Sequence, residues 1–265
     1  MTIVKEGAVG SPLFVRPAKR TLSKLRSLLT GPSGAGKTLS ALFIARGLAG
    51  PTGKIIMIDT ERGSGDLYAS VTPYSIISLT SPFSPDRYVE AIQLAEKAGA
   101  DVIIIDSLSH EWMGDGGTLA IHNKITEALG NKGNSWTAWR KVTPKHDKVI
   151  ATIRGSRCHV IATVRTKQEH AQETVDGKVQ IVKLGMAPVQ RDDTDYEFDL
   201  IFKMNMSHYA AVDKGRTITG PALTTLFSED EAFMPSVQTG EIIKEWLDSA
   251  ETEDTEAQAT EPTSS

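Results

Sequence analysis

From Ser27 onward, apolar residues fall into short runs separated by amphipathic stretches of helix length. The runs Arg26–Thr30, Lys54–Asp59, Tyr74–Ser78, Asp101–Asp106, His159–Val164 and Leu200–Met204 predict strands. Between several of them lie Thr38–Ala49, Pro85–Ala98, Thr118–Leu129 and Trp136–Arg154, which predict helices. Strands alternating with helices predict an α/β fold with a mainly parallel central sheet covered on both faces. A sheet of this kind takes its ligand at the carboxyl ends of the strands. Two long connections, Ser109–Ser135 and Arg165–Tyr196, break the rhythm. The second contains Gln172–Val175 and Lys178–Val182 around Asp176-Gly177, a pair suited to a type I′ turn, and predicts a β-hairpin insertion.

The ends of the chain read differently. The first twenty residues mix Gly7, Gly10, Pro12 and Pro17 with scattered bases, so 1–25 is expected to be a loosely ordered arm. From Asp248 to Ser265 there are six acids and no Lys or Arg, and 248–265 is expected to be a disordered acidic tail. Residues 26–247 then form the single folded domain. The formal charge of the 265-residue chain is −4; without the six tail acids it becomes +2, with 29 basic against 27 acidic residues. A nucleic-acid partner is therefore permitted but not demanded.

Candidate chemistry begins where the first strand ends. Gly31-Pro32-Ser33-Gly34-Ala35-Gly36-Lys37-Thr38 fits G-x-x-x-x-G-K-[ST] at every fixed position, between a strand and a helix that opens toward Leu39. Glycines let backbone N–H groups close on phosphate oxygens, and a helix N-terminus faces the anion with its positive end. The motif predicts a nucleoside-triphosphate site, with ATP as ligand, Lys37 on the β/γ-phosphates and the Thr38 hydroxyl on Mg²⁺. Asp106 closes the apolar run Val102–Ile105 and is the candidate outer-sphere Mg²⁺ ligand. Glu61 follows the run Ile55–Asp59 and is the candidate base for the attacking water.

The strand ending Ile58-Asp59-Thr60-Glu61 and the later Asp101-Val102-Ile103-Ile104-Ile105-Asp106-Ser107 resemble the ATPase core of RecA-type recombinases. The resemblance implies a RecA-like P-loop NTPase fold, Glu61 as the residue that polarises the lytic water, and Asp106 as the residue that serves Mg²⁺. It also implies adenine contact near Asp66 and Tyr68. In the family the next strand ends in a Gln that senses the γ-phosphate. Thr163 holds that place here, with Arg165 and Lys167 beyond it, which implies an altered sensor. Arg191–Asp199 and Asp213–Thr217 resemble small phage-encoded RecA-like ATPases, some of which act in recombination or single-strand annealing. Lys214 and Arg216 are candidates for charge stabilisation across a subunit interface.

The implied setting is ATP-controlled binding of single-stranded DNA, with a homo-oligomeric ring or filament or other recombination and replication proteins as partners. Arg140, Lys141, Lys145, Lys148, Arg154 and Arg157 on the fourth helix, with Arg165, Lys167, Lys178, Lys183 and Arg191 in the second long connection, could line a phosphate groove. For Trp112, Trp136 and Trp139, base stacking and helix–core packing both remain open. Two rivals share the phosphate loop: a small-molecule phosphotransferase and a nucleotide-gated interaction module with little hydrolysis. The lone Cys158 excludes an intramolecular disulfide and a cysteine metal cluster. No His spacing suggests a metal. With no apolar stretch of about 18 residues and no export-type leader, no membrane partner and a cytoplasmic setting are expected.

Overall fold

The computed structural model describes residues 24–130, 135–175, 178–215 and 232–259. Its centre is an eight-stranded sheet. The strands are β1 (Arg26–Gly31), β2 (Ile55–Asp59), β3 (Ser75–Ser78), β4 (Val102–Asp106), β5 (His159–Val175), β6 (Lys178–Pro188), β7 (Leu200–Met204) and β8 (Ala210–Gly215). Across the sheet the order is β3-β2-β4-β5-β1-β7-β8, with β6 paired to β5 off this path. Every pair from β3 to β7 is parallel, and β8 closes the far edge antiparallel to β7. The helices are α1 (Lys37–Ala49), α2 (Pro85–Lys97), α3 (Ser109–Met113), α4 (Thr118–Leu129), α5 (Ser135–Gly155) and α6 (Val237–Ala259).

Side chains alternate across a strand, so each strand feeds two cores. Leu29, Ile55, Met57, Ile104, Ile161 and Phe202 face α1 and α6. Leu28, Ile56, Ile58, Ile103, Ile105 and Val160 face α2 and α5. Both faces being covered explains why these strands read as unbroken apolar runs. On α5 the buried positions Ala138, Val142, His146, Val149 and Ile153 recur at helical spacing. The end of α5 is fastened to the sheet by buried Arg26, whose guanidinium donates to the carbonyls of Cys158 (2.8 Å), Arg154 (3.1 Å) and Ser156. Buried Glu111 joins three helices, accepting from Thr118 Oγ1 at 2.7 Å and pairing with His146 Nδ1 at 3.0 Å.

The hairpin is longer than its turn signal suggested. β5 runs straight on from the parallel sheet, and Thr166–Val175 pairs antiparallel with Lys178–Pro188. Most of the second long connection is therefore strand. Asp176 and Gly177 lie outside the described residues, as does the arm up to residue 23. β8 and α6 were not foreseen. Helix α6 packs on α1 where two glycines meet: a Cβ on Gly47 would lie 2.2 Å from the Val237 carbonyl oxygen, and one on Gly240 would lie 2.1 Å from that of Ile44. The same helix crosses the domain boundary placed at residue 248.

Candidate active site

At the carboxyl end of β1 the chain turns through Pro32–Gly36 and enters α1 at Lys37. Gly34 and Gly36 have φ of +83° and +81°, left-handed values that favour glycine. Lys37 Nζ donates to the carbonyls of Gly31 (2.8 Å) and Pro32 (2.7 Å), holding the ammonium against the loop. Burial lowers the Lys37 pKa from its ordinary value; Asp106 opposes this, and the charge of Arg165 adds to it.

Thr38 and Asp106 meet across the sheet. Asp106, 4% exposed, accepts from Thr38 Oγ1 at 2.7 Å through one carboxylate oxygen and from Thr163 Oγ1 at 2.6 Å through the other. Thr163 is fully buried behind Asp106. The hydroxyl and carboxylate form a hard-oxygen donor set suited to Mg²⁺, which keeps several waters and takes its remaining ligands from substrate phosphates. Among the described residues no group of three or more His, Cys, Asp and Glu could hold a metal ion by itself.

Glu61 is set by Asp59, whose carboxylate accepts from the backbone N–H of Glu61 (2.6 Å) and of Gly65 (3.2 Å), fixing the turn after β2. One Glu61 oxygen accepts from Ser107 Oγ at 3.0 Å, and the other is ion-paired with the Arg165 guanidinium. His110 lies 4.0 Å from Glu61 and is bonded to Thr60 Oγ1 at 2.8 Å; burial lowers its pKa.

Lys37, Thr38, Glu61 and Asp106 line one cavity of about 500 Å³, together with Ser33, Gly34, Gly36, Leu39 and Tyr68. Its apolar part includes Phe43, Met234 and Pro235, and Tyr68 stands on its wall. Ala35 is buried beneath the loop. Lys214 sits on β8 opposite Ile201, and Arg216 lies outside the described residues. Sequence reasoning missed Ser107, His208 and the role of Arg165 as partner of Glu61. His208 comes from the β7–β8 turn, and its Nδ1 would be 2.8 Å from a Cβ on Gly36. No local signal marks it.

A second cavity of about 730 Å³ opens beside the base of the hairpin, lined by Trp112, Trp136, Trp139, Arg140, Lys167 and Arg191, among others. Trp112 and Trp139 stack with ring centroids 5.8 Å apart, while Trp136 is 74% exposed. Two of the three tryptophans thus pack on each other, and the third offers a free face.

A phosphate loop at the end of β1, with a hydroxyl, two acids and a lysine converging on it, is the arrangement of a P-loop nucleotide-binding fold. The family model described as an AAA domain matches residues 23–233, and the chain belongs to that family of P-loop ATPases. No curated protein matches the chain. Among the described residues no helix is long and apolar enough to cross a membrane.

Proposed function

We propose that the chain is a Mg²⁺-dependent ATPase whose nucleotide cycle controls binding of single-stranded DNA, in DNA recombination or replication of the phage type. The observation that carries the reading is the convergence of Lys37, Thr38, Glu61 and Asp106 on one cavity. Lys37 and the loop N–H groups neutralise charge on the β- and γ-phosphates, while Thr38 and Asp106 hold the metal. Mg²⁺, when bound, draws charge from the phosphate oxygens and orients them for in-line displacement. Glu61 takes a proton from the attacking water as its oxygen bonds to the γ-phosphorus, and the bridging oxygen leaves with ADP. The apolar wall around Tyr68 and Phe43 suits a purine base.

Support for the DNA component comes from the second cavity, where an exposed indole stands among cations, the combination that stacks bases and tracks phosphates. β5 joins the two sites. Its alternate residues Thr163, Arg165 and Lys167 touch Asp106, pair with Glu61 and line the tryptophan groove, a span of about 13 Å. The phage setting rests on the resemblance in sequence alone. One observation favours a second reading, a nucleotide-gated module with little turnover: both carboxylate oxygens of Glu61 are engaged.

Steady-state ATP hydrolysis with and without a single-stranded oligonucleotide tests the reading, alongside oligonucleotide affinity in ATP and in ADP. The expected outcome is turnover stimulated by DNA and an affinity that differs between the nucleotides and falls with salt. Stoichiometric ATP binding without turnover would select the gated module. Turnover indifferent to DNA, with no binding at low salt, would remove the DNA component.

A further inference from the structure

We propose that Arg165 is a catalytic residue that exchanges Glu61 for the γ-phosphate, so that nucleotide binding both supplies a cation to the transferring phosphoryl group and frees Glu61 for water. The inference rests on the reading that the cavity takes ATP. Its first support is placement. Arg165 stands in register with Gly31, the first residue of the phosphate loop, on the neighbouring parallel strand. Its backbone is held on both sides, the N–H donating to Ser109 Oγ at 2.9 Å and the carbonyl accepting from Val189 N–H at 2.7 Å. Only the side chain is left to move, and it lines the same cavity as Lys37, Thr38 and Asp106.

Charge is the second support. Arg165 is close enough to Lys37 to help lower its pKa, so two cations converge on one region. Glu61 and Asp106 match the two cations in formal charge, and an arriving triphosphate brings further negative charge that competes with the carboxylates for them. The third support is the competition between partners. The Arg165 and Glu61 side chains are 44% and 19% exposed, and a half-exposed pair is weakened by solvent. A guanidinium on phosphate makes charge-assisted, often bidentate bonds to a more highly charged group. Phosphate therefore wins the guanidinium, and Ser107 keeps Glu61 oriented after the exchange. In the step itself, the water oxygen bonds to phosphorus, the bond to the bridging oxygen breaks, and one water proton passes to Glu61. Arg165 keeps its protons and contributes charge alone. It would do so within the chain, without a neighbouring subunit.

The test compares wild type with Arg165→Ala, Arg165→Gln and Arg165→Lys, measuring Kd for Mg-ADP and for a non-hydrolysable Mg-ATP analogue, and kcat. Removing the guanidinium should weaken the analogue about 10-fold or more while ADP affinity changes less than about 2-fold. It should also lower kcat about 100-fold or more, with partial recovery in Arg165→Lys. If Arg165→Ala does not fold, the Gln and Lys variants carry the same comparison. An unchanged ratio of analogue to ADP affinity, or a kcat that rises because Arg165 merely restrained Glu61, overturns the inference while leaving the ATP reading intact. Wild type that binds neither nucleotide overturns both.

Discussion

Thr163→Val removes one hydroxyl from the buried contact behind the proposed metal position and leaves the shape of the side chain nearly unchanged. Thr163 Oγ1 donates to Asp106 Oδ1 at 2.6 Å, with Thr163 fully buried and Asp106 4% exposed. A hydrogen bond to a charged group contributes about 1.5–3 kcal/mol, and the valine methyl offers the carboxylate no substitute. Taking about 2 kcal/mol and roughly 2–4 °C per kcal/mol for a domain of this size, Tm should fall by about 4–8 °C. The carboxylate would also lose one of the two contacts that orient it toward Thr38, so half-saturating Mg²⁺ for hydrolysis should rise about 10-fold. Thermal unfolding and a Mg²⁺ titration of turnover measure the two effects. Thr163→Ser, which keeps the hydroxyl, should lose about 1 kcal/mol of packing and retain the Mg²⁺ requirement of wild type. A valine variant within about 1 °C of wild type and with an unshifted Mg²⁺ titration would refute the reasoning.

Two further outcomes follow from buried groups away from the site. His159 accepts from the backbone N–H of Leu25 at 3.1 Å, and burial, reinforced by Lys24 and Arg26, pushes its pKa down to about 4. The unfolded chain then binds more protons between pH about 4 and 6.5, so this contribution is complete above that window and is lost as pH falls through it, by up to roughly 3 kcal/mol. The stability difference between wild type and His159→Asn, followed from pH 7 to pH 4 by urea unfolding, should shift by that amount against wild type. A constant difference would count against it. Gly240→Ala puts a Cβ 2.1 Å from the Ile44 carbonyl oxygen, so α6 must move off α1 at a cost of about 1–3 kcal/mol, read as a lowered Tm; an unchanged Tm would mean the two helices do not pack this closely.

How much of this was legible in the sequence depends on how local the signal was. The ends of β1, β2 and β4 were readable because buried apolar runs stop at Gly31, Asp59 and Asp106, where the chain turns toward the site. Of the far half of β5 only Gln172–Val175 was legible, from the Asp-Gly turn signal; Thr166–Ala171 carries no apolar run and pairs only with β6. β8 is a short edge strand, and α6 depends on a long-range fit between Gly47 and Gly240. The same division holds at the site. The phosphate loop, Glu61 and Asp106 belong to contiguous motifs, whereas Arg165 reaches Glu61 across 104 positions and Thr163 reaches Asp106 across 57. His208 reaches Gly36 from a turn with no motif of its own.

The central claim is that Glu61 activates water for hydrolysis of ATP bound at the phosphate loop. Single-turnover hydrolysis of labelled Mg-ATP by wild type and by Glu61→Gln, with ATP affinity measured on the same samples, tests it most directly. The account predicts that the glutamine variant binds ATP at least as tightly as wild type, since Arg165 loses its competing carboxylate, and hydrolyses it at least about 100-fold more slowly. Hydrolysis at the wild-type rate in Glu61→Gln would contradict it.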